Sequence, residues 1–302
     1  MDVGMVGLGR MGGNMAERLL RGGHRVVGYD PRAEAVAEHA RKGGLPAQTQ
    51  AAVAEQLAPP RAVWLMVPSG RPVDETVDAL LPHLAAGDTL VDGGNSYYKD
   101  SIARARRVAD RGVHFVDVGT SGGIWGLREG YSLMAGGPRD VVERLAPIFR
   151  TLAPGPDRGW GYVGPSGAGH YVKMVHNAIE YGMMEAYAEG FELMQHKAEF
   201  RLDLRQVAEI WRYGSVVRSW LLDLAARALA ENPALDGIAA YVEDSGEGRW
   251  TVIDAIEQAC AIPVITAALE RRFRSREAEP FADRMLAALR QQFGGHAVKR
   301  TA

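Results

Sequence analysis

The chain has 302 residues, of which 47% are hydrophobic and 24% charged, with a formal net charge of −2. That length allows about two domains of ~100–200 residues, and the composition is that of a soluble globular protein. A charge so near zero gives no bulk attraction for nucleic acid or an anionic membrane, so any anion must be bound by local groups. The single cysteine, Cys260, excludes an intrachain disulfide and fits a reducing compartment. It stands in the apolar stretch QACAIPVITAAL and is expected to be a buried, inert thiol. The N-terminus opens as a strand without a basic and apolar leader. No apolar run approaches the ~18–20 residues of a membrane span, so a cytoplasmic protein is expected.

In chain order, strand-length apolar runs occur at 3–8, 25–30, 62–67, 88–93, 113–118 and 131–136, with helical patterns such as MGGNMAERLLRGG and PVDETVDALLPHLAA between them. This alternation predicts right-handed crossovers and a largely parallel, doubly wound α/β sheet. After Gly169 the pattern becomes long, Ala-, Leu-, Glu- and Arg-rich helices with few prolines. The expected organisation is a Rossmann-type dinucleotide-binding domain over residues 1–165 and an all-helical domain over 166–302, with a long helix from near Gly167 spanning the joint. The closing GGHAVKRTA reads as a tail that need not belong to the core.

The first strand runs into Gly7-Leu8-Gly9-Arg10-Met11-Gly12, a G-x-G-x-x-G turn that opens a helix. Gly7 permits the tight turn, Gly9 lets the backbone approach a pyrophosphate, and Gly12 allows close helix–strand packing. Asp30 ends the second strand, where a carboxylate accepts both ribose hydroxyls of NAD and repels a 2′-phosphate. Arg32 could reach such a phosphate, so NAD is expected as cofactor with NADP possible. Val67-Pro68 and Asn95, within DGGNS, lie at further strand ends and point to the same crevice.

Lys173, His176, Asn177, Glu180 and Tyr181 occupy one short helical segment. At about 100° per residue they fall within an arc of roughly 140°. Apolar residues at 172, 174, 175, 179, 183 and 184 fill other faces and predict a helix buried nearly all round, where charges need a reason. Beside a nicotinamide, a neutral lysine could accept the proton of a carbinol hydroxyl as hydride leaves, and a carboxyl kept protonated by burial could return one. Lys173 and Glu180 are the candidates. Ser121-Gly122-Gly123 could offer a hydroxyl and open amides to a carboxylate. Arg271, Arg272, Arg274 and Arg276 form a basic cluster suited to a phosphate. The eight histidines show no metal-ligand spacing.

Together, GLGRMG, DGGNS, TSGG, KMVHNAIEYGMMEA, EGRWTVIDA and FGGH resemble the decarboxylating 6-phosphogluconate dehydrogenases over essentially the whole chain, in a short bacterial form. The resemblance implies oxidative decarboxylation of 6-phospho-D-gluconate to D-ribulose 5-phosphate in the pentose phosphate pathway. It implies Lys173 as the base, Glu180 as the acid, and Asn95, Ser121, Gly122, Gly123, His176 and Asn177 as holders of the carboxylate and hydroxyls. Tyr181 and Arg272 (or Arg274 in a shifted alignment) would contact the phosphate. Arg290 and His296 would reach the partner's active site in a homodimer or larger homo-oligomer. Two departures stand out: Ser245 occupies a place where long members carry a phosphate-binding lysine, and Asp30-Pro31-Arg32 replaces Asn-Arg-Thr. The alternatives are a β-hydroxyacid dehydrogenase of the 3-hydroxyisobutyrate type, which shares Lys173 and Asn177 but does not decarboxylate, and a noncatalytic dinucleotide-sensing module.

Overall fold

The computed structural model describes residues 1–300. Contacts divide the chain into two units, residues 1–176 and the part from Asn177 onward. The first unit runs β1 (Asp2–Val6), α1 (Arg10–Arg21), β2 (Arg25–Tyr29), α2 (Ala33–Arg41), β3 (Leu45–Pro46), α3 (Gln50–Glu55), β4 (Ala62–Leu65), α4 (Arg71–Leu80), β5 (Thr89–Asp92), α5 (Tyr98–Ala109) and β6 (His114–Ser121). It continues with α6 (Gly126–Glu129), β7 (Ser132–Gly136), α7 (Arg139–Arg144), α8 (Ala146–Leu152), β8 (Trp160–Gly164) and the first turns of α9 (Ala168–His196).

The strands form one sheet in the order β3-β2-β1-β4-β5-β6-β7-β8. All neighbours are parallel except β6 and β7, which pair antiparallel, Asp117 opposite Gly136 and Ser121 opposite Ser132. Six strands fall on the expected runs. β3 and β8 were not foreseen: one has only two residues and the other, WGYVG, carries no apolar alternation. Side chains alternate across the sheet as a period of two requires. Val3, Met5, Trp64, Val116 and Val118 enter one core with Met15 and Leu19 of α1 and Phe149 of α8. Val6, Val63, Leu65, Leu90 and Phe115 enter the other with Val53 of α3, Val77 of α4 and Val108 of α5. Burial on both faces explains the near-continuous apolar strands.

The second unit holds the rest of α9 and α10 (Leu204–Trp211), α11 (Trp220–Glu231), α12 (Glu247–Glu257), α13 (Pro263–Arg274) and α14 (Phe281–Gly294). Side-chain caps start two of these helices: Asp203 accepts from Gln206 N at 3.1 Å and Ser219 from Leu222 N at 3.0 Å. Ala208, Leu222, Ala226 and Leu229 pack with Tyr187, Phe191 and Trp211. A smaller cluster joins Tyr181, Ala268 and Leu269 to Val252 and Phe273. α14 buries no residue, and Phe293 is 94% exposed.

Two expectations are corrected. Cys260 is exposed, not buried, because it follows the end of α12, where Ala259 turns the chain in a left-handed conformation. α9 is not buried all round: Val172, Ile179, Met183 and Met184 are exposed. A helix is enclosed only where neighbours pack on every side, and a single chain does not supply them for this one.

Candidate active site

The strand order reverses between β1 and β4, and the crevice at the carboxyl ends beside that point is where open α/β sheets bind ligands. Gly7 has φ of +96°, and a Cβ there would lie 2.4 Å from Met66 O. A Cβ on Gly12 would lie 1.9 Å from Gly7 O. Both glycines are thus demanded by the protein's own packing. Gly9 is different: the nearest atom to its hypothetical Cβ is Arg32 Nη2, at 3.8 Å. A glycine without internal need, standing at the N-terminus of α1 with no side-chain cap, fits a backbone approached by an outside anion. The adjoining cleft of about 340 Å³ is lined by Leu8, Gly9, Arg10, Asn14 and Arg32 among others, all from the α1–α2 side of the turn, where the nucleotide end of a dinucleotide would lie.

Asp30 anchors this turn. Its Oδ2 accepts from Leu8 N at 2.8 Å, and its Oδ1 accepts from Arg32 N at 3.0 Å and Arg32 Nε at 2.9 Å. Burial opposes its charge, but the Arg32 guanidinium and the two backbone N–H groups prevail and hold its carboxyl below the ordinary aspartate value. Arg32 therefore pairs with Asp30 while its side chain stays largely exposed.

Val67 and Pro68 follow the end of β4, and Asn95 lies exposed after β5. The Asn95 loop is held by a residue that sequence reading passed over. Asp92 accepts from Gly94 N at 3.1 Å and from Ser96 Oγ at 2.7 Å, bracketing Asn95 on both sides. Arg104, almost wholly buried on α5, approaches Asp92 at 3.8 Å and binds Asp74 at 2.8 Å. An aspartate directly before a Gly-Gly-Asn loop was the available signal. β6 ends at Ser121, and Gly122 and Gly123 follow it with φ of +132° and +52°.

One helix, α9, carries Lys173, His176, Asn177, Glu180 and Tyr181. Lys173 and Asn177, one turn apart, are 7% and 8% exposed. Lys173 Nζ lies 3.4 Å from His176 Nδ1. His176 and Glu180 are half-buried.

In the helical unit, the Tyr181 hydroxyl accepts from Ser245 N at 3.1 Å, and Ser245 Oγ donates to Glu247 at 2.5 Å. The Arg272 guanidinium lies 3.6 Å from the centre of the Tyr181 ring. Arg274 instead pairs with Asp283, and Arg276 with Asp244, so Arg272 is the arginine at Tyr181. Arg290 is exposed on α14 and His296 is exposed beyond its end. Among the described residues, no group of three or more His, Cys, Asp or Glu side chains could hold a metal ion, and no helix is long and apolar enough to cross a membrane.

A doubly wound sheet with a glycine turn at its switch point, followed by a helix bearing a buried lysine, defines a nicotinamide-dinucleotide oxidoreductase. The sequence pattern of the NAD binding domain of 6-phosphogluconate dehydrogenase matches residues 2–164, and that of the 6-phosphogluconate dehydrogenase C-terminal domain matches residues 169–280. The chain belongs to the 6-phosphogluconate dehydrogenase family. It is 45% identical to a decarboxylating, NAD(+)-dependent 6-phosphogluconate dehydrogenase of Haloferax volcanii over 99% of both chains. The 6-phosphogluconate dehydrogenase of Plasmodium falciparum, solved with NADP+ and with 6-phosphogluconate, superposes with a TM-score of 0.85 at 28% identity. That match covers all of this chain and 66% of the longer Plasmodium chain. A 3-hydroxyisobutyrate dehydrogenase of Mycobacterium tuberculosis shares the fold at a TM-score of 0.71 and 21% identity, covering 89% of this chain and 91% of that one.

Proposed function

We propose that the protein oxidatively decarboxylates 6-phospho-D-gluconate to D-ribulose 5-phosphate and CO2, with NAD preferred over NADP. The observation that carries the reading is the pair Lys173 and Asn177, buried one turn apart on α9 and continued by Tyr181 a further turn on, within a chain of this family.

The bound nicotinamide supplies the hydride acceptor. The residues of the chain supply the rest. Lys173 Nζ takes the proton of the 3-hydroxyl as hydride leaves C3, and Asn177 and His176 hold that hydroxyl and its neighbour. The product is a β-keto acid. Its C1–C2 bond breaks, CO2 leaves, and the electron pair passes to the ketone oxygen, which takes its proton back from Lys173. Glu180 then protonates the carbon that lost CO2 while the enol hydroxyl gives its proton back to Lys173, leaving the ketone of the ketose. Asn95, Ser121 and the amides of Gly122 and Gly123 bind the carboxylate and adjacent hydroxyls. Tyr181 and Arg272 bind the phosphate, with Ser245 giving a hydroxyl where long family members have a lysine.

Asp30 supports NAD. The ribose hydroxyls would donate to the oxygens that Arg32 now holds, while Leu8 N keeps the carboxylate in place. A 2′-phosphate would meet that carboxylate directly. Arg290 and His296, six residues apart and exposed, are proposed to complete the site of a second subunit. The low cysteine count supports a reducing, cytoplasmic setting.

The test is incubation with 6-phosphogluconate and either NAD or NADP, following reduced cofactor and CO2 together. One CO2 per reduced cofactor and a higher kcat/KM with NAD are expected. Cofactor reduction without CO2 would replace this reading with the β-hydroxyacid dehydrogenase one.

A further inference from the structure

The helix that carries Lys173 starts on a buried carboxylate which the reaction above does not use. Asp117, in the middle of β6, is 0% exposed. Val116 and Val118 face one core of the sheet, so residues 115, 117, 119 and 121 share the opposite face. There Asp117 Oδ1 accepts the N–H of Gly167 at 2.6 Å and Oδ2 accepts the N–H of His170 at 2.9 Å. These N–H groups open α9 and have no acceptor within the helix, and negative charge is favoured at that end. Two residues along the strand, a Cβ on Gly119 would lie 2.4 Å from Lys173 Cβ and 2.6 Å from Gly169 O. A Cβ on Gly169 would lie 2.3 Å from Asp117 O and 2.4 Å from Met134 O. The first turn of α9 thus rests on the backbone of β6 and β7, with no side chain between. His170, 1% exposed, places its Nδ1 2.7 Å from Ser101 Oγ of α5, pinning the same turn from a second direction. Lys173 follows His170 by three residues, on the same helix face.

We infer that Asp117 is a positioning residue for Lys173. It fixes the rotation and axial height of the first turn of α9 on β6. That sets where Nζ stands relative to the carboxyl edge of the sheet, at which the dinucleotide turn and Ser121 lie. The inference rests on Lys173 being the base.

The test uses the full-length enzyme and two variants. Asp117→Asn keeps the shape of the side chain but sets an amide donor against one of the two N–H groups. Gly119→Ala leaves the carboxylate intact and pushes α9 away from β6 at Lys173. For both, kcat should fall about 10- to 100-fold, the effect of misplacing a reacting group by about an ångström. NAD affinity should stay within about twofold. The deuterium isotope effect with C3-deuterated 6-phosphogluconate should rise, because the misplaced base slows the step that moves the hydride. A cap that only stabilised the fold would lower activity in proportion to the folded fraction and leave the isotope effect unchanged. That result, or folded variants with kcat within about twofold of wild type, would overturn the inference. If Asp117→Asn does not fold, Gly119→Ala decides; failure of both to fold would assign Asp117 to the fold alone and overturn it too. Wild-type inactivity on 6-phosphogluconate, or an unimpaired Lys173→Met enzyme, would instead sink the underlying assignment of the base.

Discussion

At the scale of single residues, identical side-chain types do different work according to what surrounds them. Lys173 is buried beside His176, whereas Lys42 pairs with Glu17 and Glu38 near the surface. Removing the amine from Lys173 should therefore remove chemistry and leave cofactor binding. Lys173→Met should lower kcat about 10²- to 10⁴-fold, the usual contribution of a general base. Fluorescence titration with NADH should find an affinity close to wild type. Glu180→Gln should slow ketose formation more than it weakens NAD binding, checked by comparing the rates of CO2 release and ribulose 5-phosphate formation. Asp244 belongs to another category. Hydrogen bonds from Arg249 and Arg276 outweigh its burial and hold its carboxyl down at about 2. Its folded pKa lies below the unfolded value of about 3.9. The stability it gives is therefore fully present above that unfolded value and is lost as pH falls through about 2. Asp244→Asn should flatten the acid limb of the thermal-melt profile in that window. An unchanged profile would remove the pair from the account.

At the scale of elements, the legibility of the sequence followed the strength of the local pattern. α1 was plain because Gly12, Met15, Ala16 and Leu19 bury one stripe directly after a glycine turn. The Cβ position of Gly12, 1.9 Å from Gly7 O, makes this turn intolerant of any side chain. Gly12→Ala should destabilise the first unit by about 1–3 kcal/mol through backbone displacement. It should also weaken NAD binding, measured by chemical denaturation and by titration; a stable variant with normal affinity would contradict the packing argument. The antiparallel β6–β7 pair was not legible. Both strands read as apolar runs, and direction is set by the short connection through Ser121–Tyr131, not by the composition of either strand. α9 was legible as a helix and as a polar stripe. Its enclosure was overstated, because apolar residues at 172, 179, 183 and 184 record a need for burial without naming what meets it.

At the scale of the whole molecule, α14 and the tail bear on the site that we propose is shared between subunits. α14 buries none of its own residues and presents Phe281, Leu286, Leu289 and Phe293 to solvent in the single chain. A closed two-fold pairing would give such a stripe a partner and carry Arg290 and His296 across. Shared sites predict complementation. Lys173→Met and His296→Ala should each be weakly active alone. Mixed by unfolding and refolding together, they should recover about a quarter of wild-type activity, since half the dimers are mixed and each mixed dimer has one intact site. No recovery in a preparation shown to contain mixed dimers would place His296 outside the partner's site.

What the sequence determined by itself were the features whose causes are local. The alternation of strands and helices follows from apolar periodicity, the dinucleotide turn from glycine spacing, and the row from Lys173 to Tyr181 from helical geometry. Family-bearing motifs such as KMVHNAIEYGMMEA were readable for the same reason, since each is one short continuous segment. Tertiary structure decided what depends on residues far apart in the chain. It brought Arg104 of α5 between Asp74 and Asp92 beside the Asn95 loop, and it chose Arg272 over Arg274 at Tyr181. It also set Asp117 under the start of α9, fifty residues away in sequence from Gly167. A buried carboxylate looks the same in a strand whether it is an error, a cap or a lever. Only the N–H groups that reach it from another element decide which, and those are absent from any local pattern.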